Sequence, residues 1–361
     1  MNGTPAFLVL FLLYVYGKHI GHQEQGRMAG MSTKAGKQMT YLWIPGTGPD
    51  AQALRRLQEH ARKPARPMGE AWFMAEHRRF FTELLTDDAS RWERELIETA
   101  LMTLTSGPGC FGLRREWSDW LHYLTPRLLG RIDGPQWKNI YESLISAFMA
   151  RYPDERSEYP YDRFLEDTLA TLGRMPMAPS NWNDGGLVMD GLIPAVEEMT
   201  YGLALFCGGT FSAALFLHLK YLDEGLLPDW LASVLAIEDA VWRVKMVLWV
   251  AKSRELLLQS GQQPGVLEME PSYGSGWDGC WGLMGSNPSP EVDPSQIAIP
   301  FLSDARRQCF QSVLRRHLTR ASLERLGAEV AEAEEAQPRL YGIRVQFDQA
   351  VREIVLDYQL R

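Results

Sequence analysis

Cysteine is scarce in this chain, and the cysteines that are present lie far apart. Cys110, Cys207, Cys280 and Cys309 form no CxxC pair. This spacing excludes a disulfide framework and a paired-cysteine zinc module, because both need several cysteines at short intervals. We therefore predict a reducing compartment and a cytoplasmic protein.

Basic side chains are too few for a broad nucleic-acid surface. The 361 residues include 37 Lys and Arg against 45 Asp and Glu, which gives a net charge of -8. A wide nucleic-acid interface normally shows as a basic face, whereas an acidic protein suits a protein partner that has one. Two local basic clusters, at residues 55–66 and 306–320, are expected to be solvated faces of helices.

A hydrophobic run long enough to cross a bilayer is nearly absent. Residues 199–217 form a 19-residue run without a charged side chain, but Gly208 and Gly209 interrupt it. We therefore predict two buried helices that meet at these glycines. Residues 5–17 form an uncharged run of 13 residues, which is short for a span and lacks the basic start of a secretory signal. A membrane-anchored helical protein that uses either run is a third alternative for function.

Metal-ligand patterns are also missing. The histidines that follow the first 40 residues are isolated from one another, and no Glu-x-x-His pair of the di-iron type occurs. A lone histidine between apolar neighbours, such as His218, indicates a satisfied core residue rather than a ligand. The carboxylates at residues 184–198 match no calcium-binding loop, and helix capping or solvation explains them better. We predict no metal and no cofactor.

Amphipathic helical segments make up most of what is present. In one recurring pattern an aromatic residue precedes Glu, apolar residues follow that Glu at positions three and six, and a proline closes the segment. Spacings of three place the apolar residues on one helix face, and the proline predicts the end of the helix. The three occurrences are Trp92, Glu98, Leu101, Leu104, Pro108; Trp137, Glu142, Ile145, Phe148, Pro153; and Tyr161, Glu166, Leu169, Leu172, Pro176.

The predicted fold is all-α, a multi-helical array of HEAT-like or irregular helical repeats. Trp92 and Trp137 are 45 residues apart but Trp137 and Tyr161 only 24, so the period is not fixed, and an ordinary amphipathic pattern explains it equally well. We expect a tail or mis-annotated start at 1–40 and the helical array at 41–270. A long loop follows at 271–302, and a C-terminal helical set at 303–361 is predicted to pack on the array.

The loop at 271–302 is the preferred functional surface. It is rich in Gly, Pro and Ser and shows no helical periodicity, yet it contains Tyr273, Trp277, Asp278 and Trp281. Long loops without periodicity in folded chains are commonly functional or disordered, and aromatic side chains dominate the binding energy of protein interfaces. We predict that these four residues bind a partner. The alternative is that the tryptophans fold back to fill a gap between helical layers.

An Arg followed by a His on one predicted helix comes closest to a catalytic signature. Six residues separate Arg115 from His122, and four separate Arg55 from His60. This spacing resembles the motif of HEPN-type ribonucleases, a family that assembles an Arg/His pair at a dimer interface. The resemblance implies that Arg would stabilise a developing phosphorane and that His would act as general acid or base. A metal-independent ribonuclease is therefore the alternative function.

The favoured function is non-catalytic. Stacked helices make interaction surfaces more often than active sites. We expect a protein–protein interaction subunit, such as a scaffold, an adaptor or a toxin-neutralising protein, that uses a helical surface and the aromatic loop.

Overall fold

Helices dominate the described part of the chain, which confirms the all-α prediction. The computed structural model describes residues 40–68, 81–86, 88–111, 114–153, 158–184, 186–198, 204–205, 208–259 and 301–360. Its helices are α1 (Ala51–His60), α2 (Arg94–Phe111), α3 (Arg115–Leu129), α4 (Lys138–Arg151), α5 (Phe164–Thr171), α6 (Gly209–Tyr221), α7 (Leu227–Leu235), α8 (Ala240–Lys252), α9 (Arg254–Leu258), α10 (Asp304–His317), α11 (Arg320–Ala336) and α12 (Ile343–Asp357).

Side-chain caps explain where several helices begin. The Asp50 carboxylate accepts a hydrogen bond from the backbone N–H of Ala53 at 2.7 Å, and Ser303 accepts one from Arg306 at 3.2 Å. Asp and Ser are among the residues that most often occupy this position. Thr319 and Ser322 form a reciprocal capping box at the start of α11. Such caps supply acceptors for N–H groups that have no partner within the helix.

The core lies where α2, α4 and α6 pack side by side. All of α6 is buried. The apolar residues three and six positions after each Glu of the recurring segments are buried too, so the predicted helix faces are correct. The closing prolines are less regular, since only Pro153 follows the end of an α-helix while Pro108 lies inside α2. The repeat architecture itself stays a prediction.

Glycines mark a close approach in α2 instead of its end. The sequence predicts a break at residues 107–109, yet α2 continues to Phe111. A Cβ added to Gly107 would lie 2.5 Å from the Trp117 ring, so this glycine lets α3 approach α2. Helix α3 likewise continues past Pro126 to Leu129. Packing against neighbouring helices therefore outweighs the local preference of glycine and proline to end a helix.

Two short antiparallel strand pairs interrupt the helices. In β1 (Trp182–Asn183) and β2 (Gly186–Leu187), Trp182 pairs with Leu187. In β3 (Glu197–Glu198) and β4 (Ala204–Leu205), Glu197 pairs with Leu205. The predicted helix before Gly208 is therefore wrong for residues 204–205, whereas the predicted helix after the glycines is confirmed as α6. No helix of the described residues is both long and apolar enough to cross a membrane.

Helices α10 to α12 pack against α7 and α8. The guanidinium of Arg254 binds Glu353 at 3.1 Å and Asp357 at 3.3 Å. Arg306 is buried and donates to the carbonyl oxygens of Leu219 and Leu222 at the end of α6, at 3.1 and 2.6 Å. The prediction that the basic cluster at 306–320 is a solvated face is therefore wrong at Arg306, because carbonyl groups at a helix end need donors.

Candidate functional site

The four residues predicted to bind a partner lie outside the described residues. Tyr273, Trp277, Asp278 and Trp281 therefore remain a sequence-based prediction. The residues behind the ribonuclease resemblance are described, and so is a cluster of polar side chains around one of them.

Arg115 and His122 do not come together within the chain. The Arg115 side chain is 92% exposed and lies 3.7 Å from the Asp119 carboxylate one turn along α3. His122 is buried, with its ring centroid 5.1 Å from that of Phe164 and 5.8 Å from that of Tyr161. Within one protomer, the guanidinium and the imidazole therefore face different surroundings.

A buried ion pair joins α1 to α5. Asp167 on α5 has no exposed surface, and Arg56 on α1 binds its carboxylate through Nη2 at 2.6 Å and Nε at 3.0 Å. Tyr161 donates its hydroxyl to the same carboxylate at 3.1 Å. The hydrogen bonding of Arg56 to the Asp167 carboxylate raises the pKa of Arg56. The sequence prediction that residues 55–66 form a solvated basic face is wrong at Arg56.

Two histidines from different helices contact Tyr161. His60, at the exposed end of α1, stacks on the Tyr161 ring with centroids 4.2 Å apart, and His122 of α3 lies on the buried side. Burial lowers the pKa of His122 to about 4, and the charge of His60 adds to this effect. Burial also raises the pKa of Tyr161, as does the Asp167 charge. Near neutral pH, His122 is therefore uncharged and Tyr161 keeps its proton.

This cluster is better suited to structure than to catalysis. The three hydrogen bonds from Arg56 and the one from Tyr161 occupy the Asp167 carboxylate, so it is not available as a free base. The Nε2 atom of His122 has no hydrogen-bond partner, but it is buried and therefore closed to a substrate. The cluster connects α1, α3 and α5. Sequence reasoning missed it because Arg56 lies 111 positions before Asp167, too far away in the chain to form a motif with it.

A second polar network lies in the core, around His218. Its Nδ1 is 2.8 Å from the Ala214 carbonyl oxygen, which can only accept, so the neutral ring carries its proton there and Nε2 accepts. The Tyr41 hydroxyl lies between two acceptors, Nε2 at 2.9 Å and the Leu169 carbonyl at 2.6 Å. Burial lowers the pKa of His218 to about 3. The prediction that His218 is a core residue is confirmed, because its side chain has no exposed surface.

Aromatic rings enclose the His218 network. Trp230 stacks on the His218 ring with centroids 4.8 Å apart, and Trp43 meets it edge-on at 4.9 Å. Residues 41–45 form no strand, and Trp43 is buried in this cluster. Among the described residues, no group of three or more His, Cys, Asp or Glu side chains is placed to hold a metal ion.

An apolar surface at the C-terminal end of the chain is the clearest binding feature of the described residues. We define the α12 outer face as Tyr341, Val345, Arg352 and Leu356. The apolar members are strongly exposed, at 84% for Tyr341, 71% for Val345 and 77% for Leu356. The opposite face of α12 is buried through residues such as Phe347 and Ile354. The helix therefore has apolar side chains on both faces.

Comparison of the chain with protein-family models, curated proteins and solved structures found no match. Its function must therefore be inferred from its own residues.

Proposed function

We propose that this protein is a non-catalytic interaction subunit that acts in the cytoplasm and binds another protein through the α12 outer face. One observation carries the proposal. Of the five strongly exposed large apolar side chains in the described residues, three lie at this face, namely Tyr341, Val345 and Leu356. Val345 and Leu356 lie about 16 Å apart on α12, with the exposed Gln349 and Arg352 between them. Exposed apolar side chains that share one surface are typical of interaction sites.

The charge around this face indicates the chemistry of the partner. Helix α11 packs against α12 and exposes the carboxylates of Glu324, Glu332 and Glu335, and the arginines exposed on these two helices are Arg320, Arg325, Arg344 and Arg352. The whole chain carries a net charge of -8. We therefore propose a partner that presents an apolar strip bordered by Lys and Arg side chains, because such a surface matches both the apolar groups and the carboxylates.

The proposed interface extends beyond three side chains. A stable complex buries about 800 Å² on each partner, which is more than the α12 outer face supplies alone. Helix α11 and the loop residues Trp277 and Trp281 are proposed to supply the rest. In this proposal the helical array at 41–270, with irregular HEAT-like packing, is the support that presents the C-terminal helices.

The test compares three forms of the full chain. In the first step, three proteins are purified from the native host with and without nuclease. They are the wild type, a Val345→Asp/Leu356→Asp double variant and a Met102→Asp control. Met102 is a suitable control because it is also exposed, at 56%, but lies on α2. Co-eluting proteins are identified by mass spectrometry, and the candidate partner is then purified and titrated directly against all three forms.

The expected result is a stoichiometric partner that survives nuclease and binds wild type and Met102→Asp equally. The double variant should bind at least tenfold more weakly, and rising salt should weaken binding to the wild type. Equal binding of the double variant would overturn the proposal. Recovery of RNA without a protein partner would also overturn it. That result would favour the ribonuclease alternative, in which Arg115 and His122 of paired protomers are the candidate catalytic residues.

A further inference from the structure

A surface pocket lies between α1, the turn at residues 89–91 and the end of α3. Its volume is about 320 Å³, within the range of small-molecule sites. We define the α3 pocket by five lining residues, Gln58, Ser90, Arg127, Gly130 and Arg131. Two arginine residues thus line one small concave space.

The protein holds Arg131 firmly at this pocket. The guanidinium donates to the carbonyl oxygens of Ala89 and Trp92, the latter at 3.2 Å. It also lies over the Trp137 ring, 4.8 Å from the centroid. Burial lowers the pKa of Arg131, and the nearby Asp88 charge opposes this effect. Because an arginine has five N–H donors, these two bonds leave others for a ligand.

Arg127 is held in a similar way. Its Nη1 donates to the Tyr123 carbonyl oxygen at 2.9 Å, and its guanidinium lies 3.9 Å from the centroid of the Tyr123 ring. In the described part of the chain, neither Arg127 nor Arg131 forms an ion pair with a carboxylate. Two positive charges therefore share a pocket, and the nearby Asp88 carboxylate is bound to Ser90 rather than to either guanidinium.

We propose that the α3 pocket binds a small molecule through an anionic carboxylate or phosphate group held by Arg127 and Arg131. The planar guanidinium matches the oxygens of either group in pairs, and this geometry gives strong charge-assisted hydrogen bonds. The Gln58 amide supplies a further polar group at the rim. This site is separate from the α12 outer face, so neither proposal depends on the other.

Gly130 allows the pocket to be blocked without removing a charge. Its backbone has an ordinary helical conformation, with φ -72° and ψ -8°, and a Cβ added there would meet no atom within 4 Å. A Gly130→Leu variant should therefore fold normally while its side chain occupies the pocket. Arg127→Gln removes one of the two charges. Arg115→Gln is the matched control, because it removes the same charge from an exposed position on the same helix.

The experiment titrates inorganic phosphate and, separately, succinate into each form of the full chain by calorimetry, at ionic strength held constant with chloride. Saturable binding to wild type and Arg115→Gln is expected, with at least tenfold weaker binding to Arg127→Gln and Gly130→Leu. The stronger of the two anions identifies the ligand group. Thermal unfolding checks that each variant is folded. Absence of saturable binding of both anions to wild type, or unchanged binding in both pocket variants, would overturn the proposal.

Discussion

The buried ion pair between Arg56 and Asp167 should contribute strongly to stability, and its removal gives a sharp test. An Arg56→Met variant leaves the fully buried Asp167 carboxylate with the Tyr161 hydroxyl as its remaining side-chain donor. Breaking a buried pair by removing one partner costs about 3–5 kcal/mol, because the other charge stays buried without compensation. The Arg56 side chain is 28% exposed, which places the expected loss near the lower end, at about 3 kcal/mol.

A double variant separates this explanation from a simple loss of packing. Arg56→Met/Asp167→Leu removes both charges and should lose only about 1–2 kcal/mol, mainly because Tyr161 no longer has its acceptor. Arg55→Met is the control, since Arg55 is an exposed basic neighbour on the same helix, and it should change stability by less than about 0.5 kcal/mol. Urea unfolding followed by tryptophan fluorescence measures all four free energies of unfolding. A double variant no more stable than Arg56→Met would refute the reasoning.

Two further predictions concern the buried histidines and the glycine beside one of them. Burial depresses the folded-state pKa of His122 to about 4 and that of His218 to about 3. Below about pH 6.5 the unfolded chain therefore binds more protons than the folded chain. The free energy of unfolding should be highest above that pH and fall towards pH 4. For His122 the expected loss in the free energy of unfolding on acidification to pH 4 is about 2–3 kcal/mol. A His122→Phe variant whose free energy of unfolding varies with pH as in the wild type would contradict this prediction. Gly173→Ala should cost about 1–3 kcal/mol in urea unfolding, because the new Cβ would lie 2.7 Å from the buried His218 ring. Gly130→Ala, whose Cβ meets no atom within 4 Å, should be neutral or slightly stabilising, and equal losses in the two variants would contradict the packing argument.

The elements that could be predicted from the sequence are those that depend on nearby residues. Asp50 and Ser303 cap helices through hydrogen bonds that span only three residues, so both helix starts were predictable. The apolar spacing also identifies buried helix faces correctly. The break predicted at residues 107–109 is wrong because the role of Gly107 depends on Trp117, which belongs to the next helix.

The candidate sites were largely beyond prediction, because their partners are distant in the chain. Arg56 belongs to a basic cluster that resembles any solvated helix face, and only the fold brings it to Asp167. The exposure of Val345 and Leu356 could not be predicted either. The sequence pattern of a helix shows which residues are apolar, but not which of two apolar faces packs against the rest of the protein. The aromatic residues of the loop, including Trp277 and Trp281, lie outside the described residues and remain predictions.

The contacts of the segment at residues 41–43 also bear on synthesis at the ribosome. Tyr41 bonds to residues 128 and 177 positions later, and the backbone N–H of Trp43 donates to Ser233, 190 positions later. The contact with Ser233 cannot form until α7 has left the exit tunnel. Because closing such long loops is slow, the emerging chain should expose its tryptophan-rich surfaces for most of its translation. We infer that this protein depends on chaperones during synthesis more than a helical protein of local contacts would.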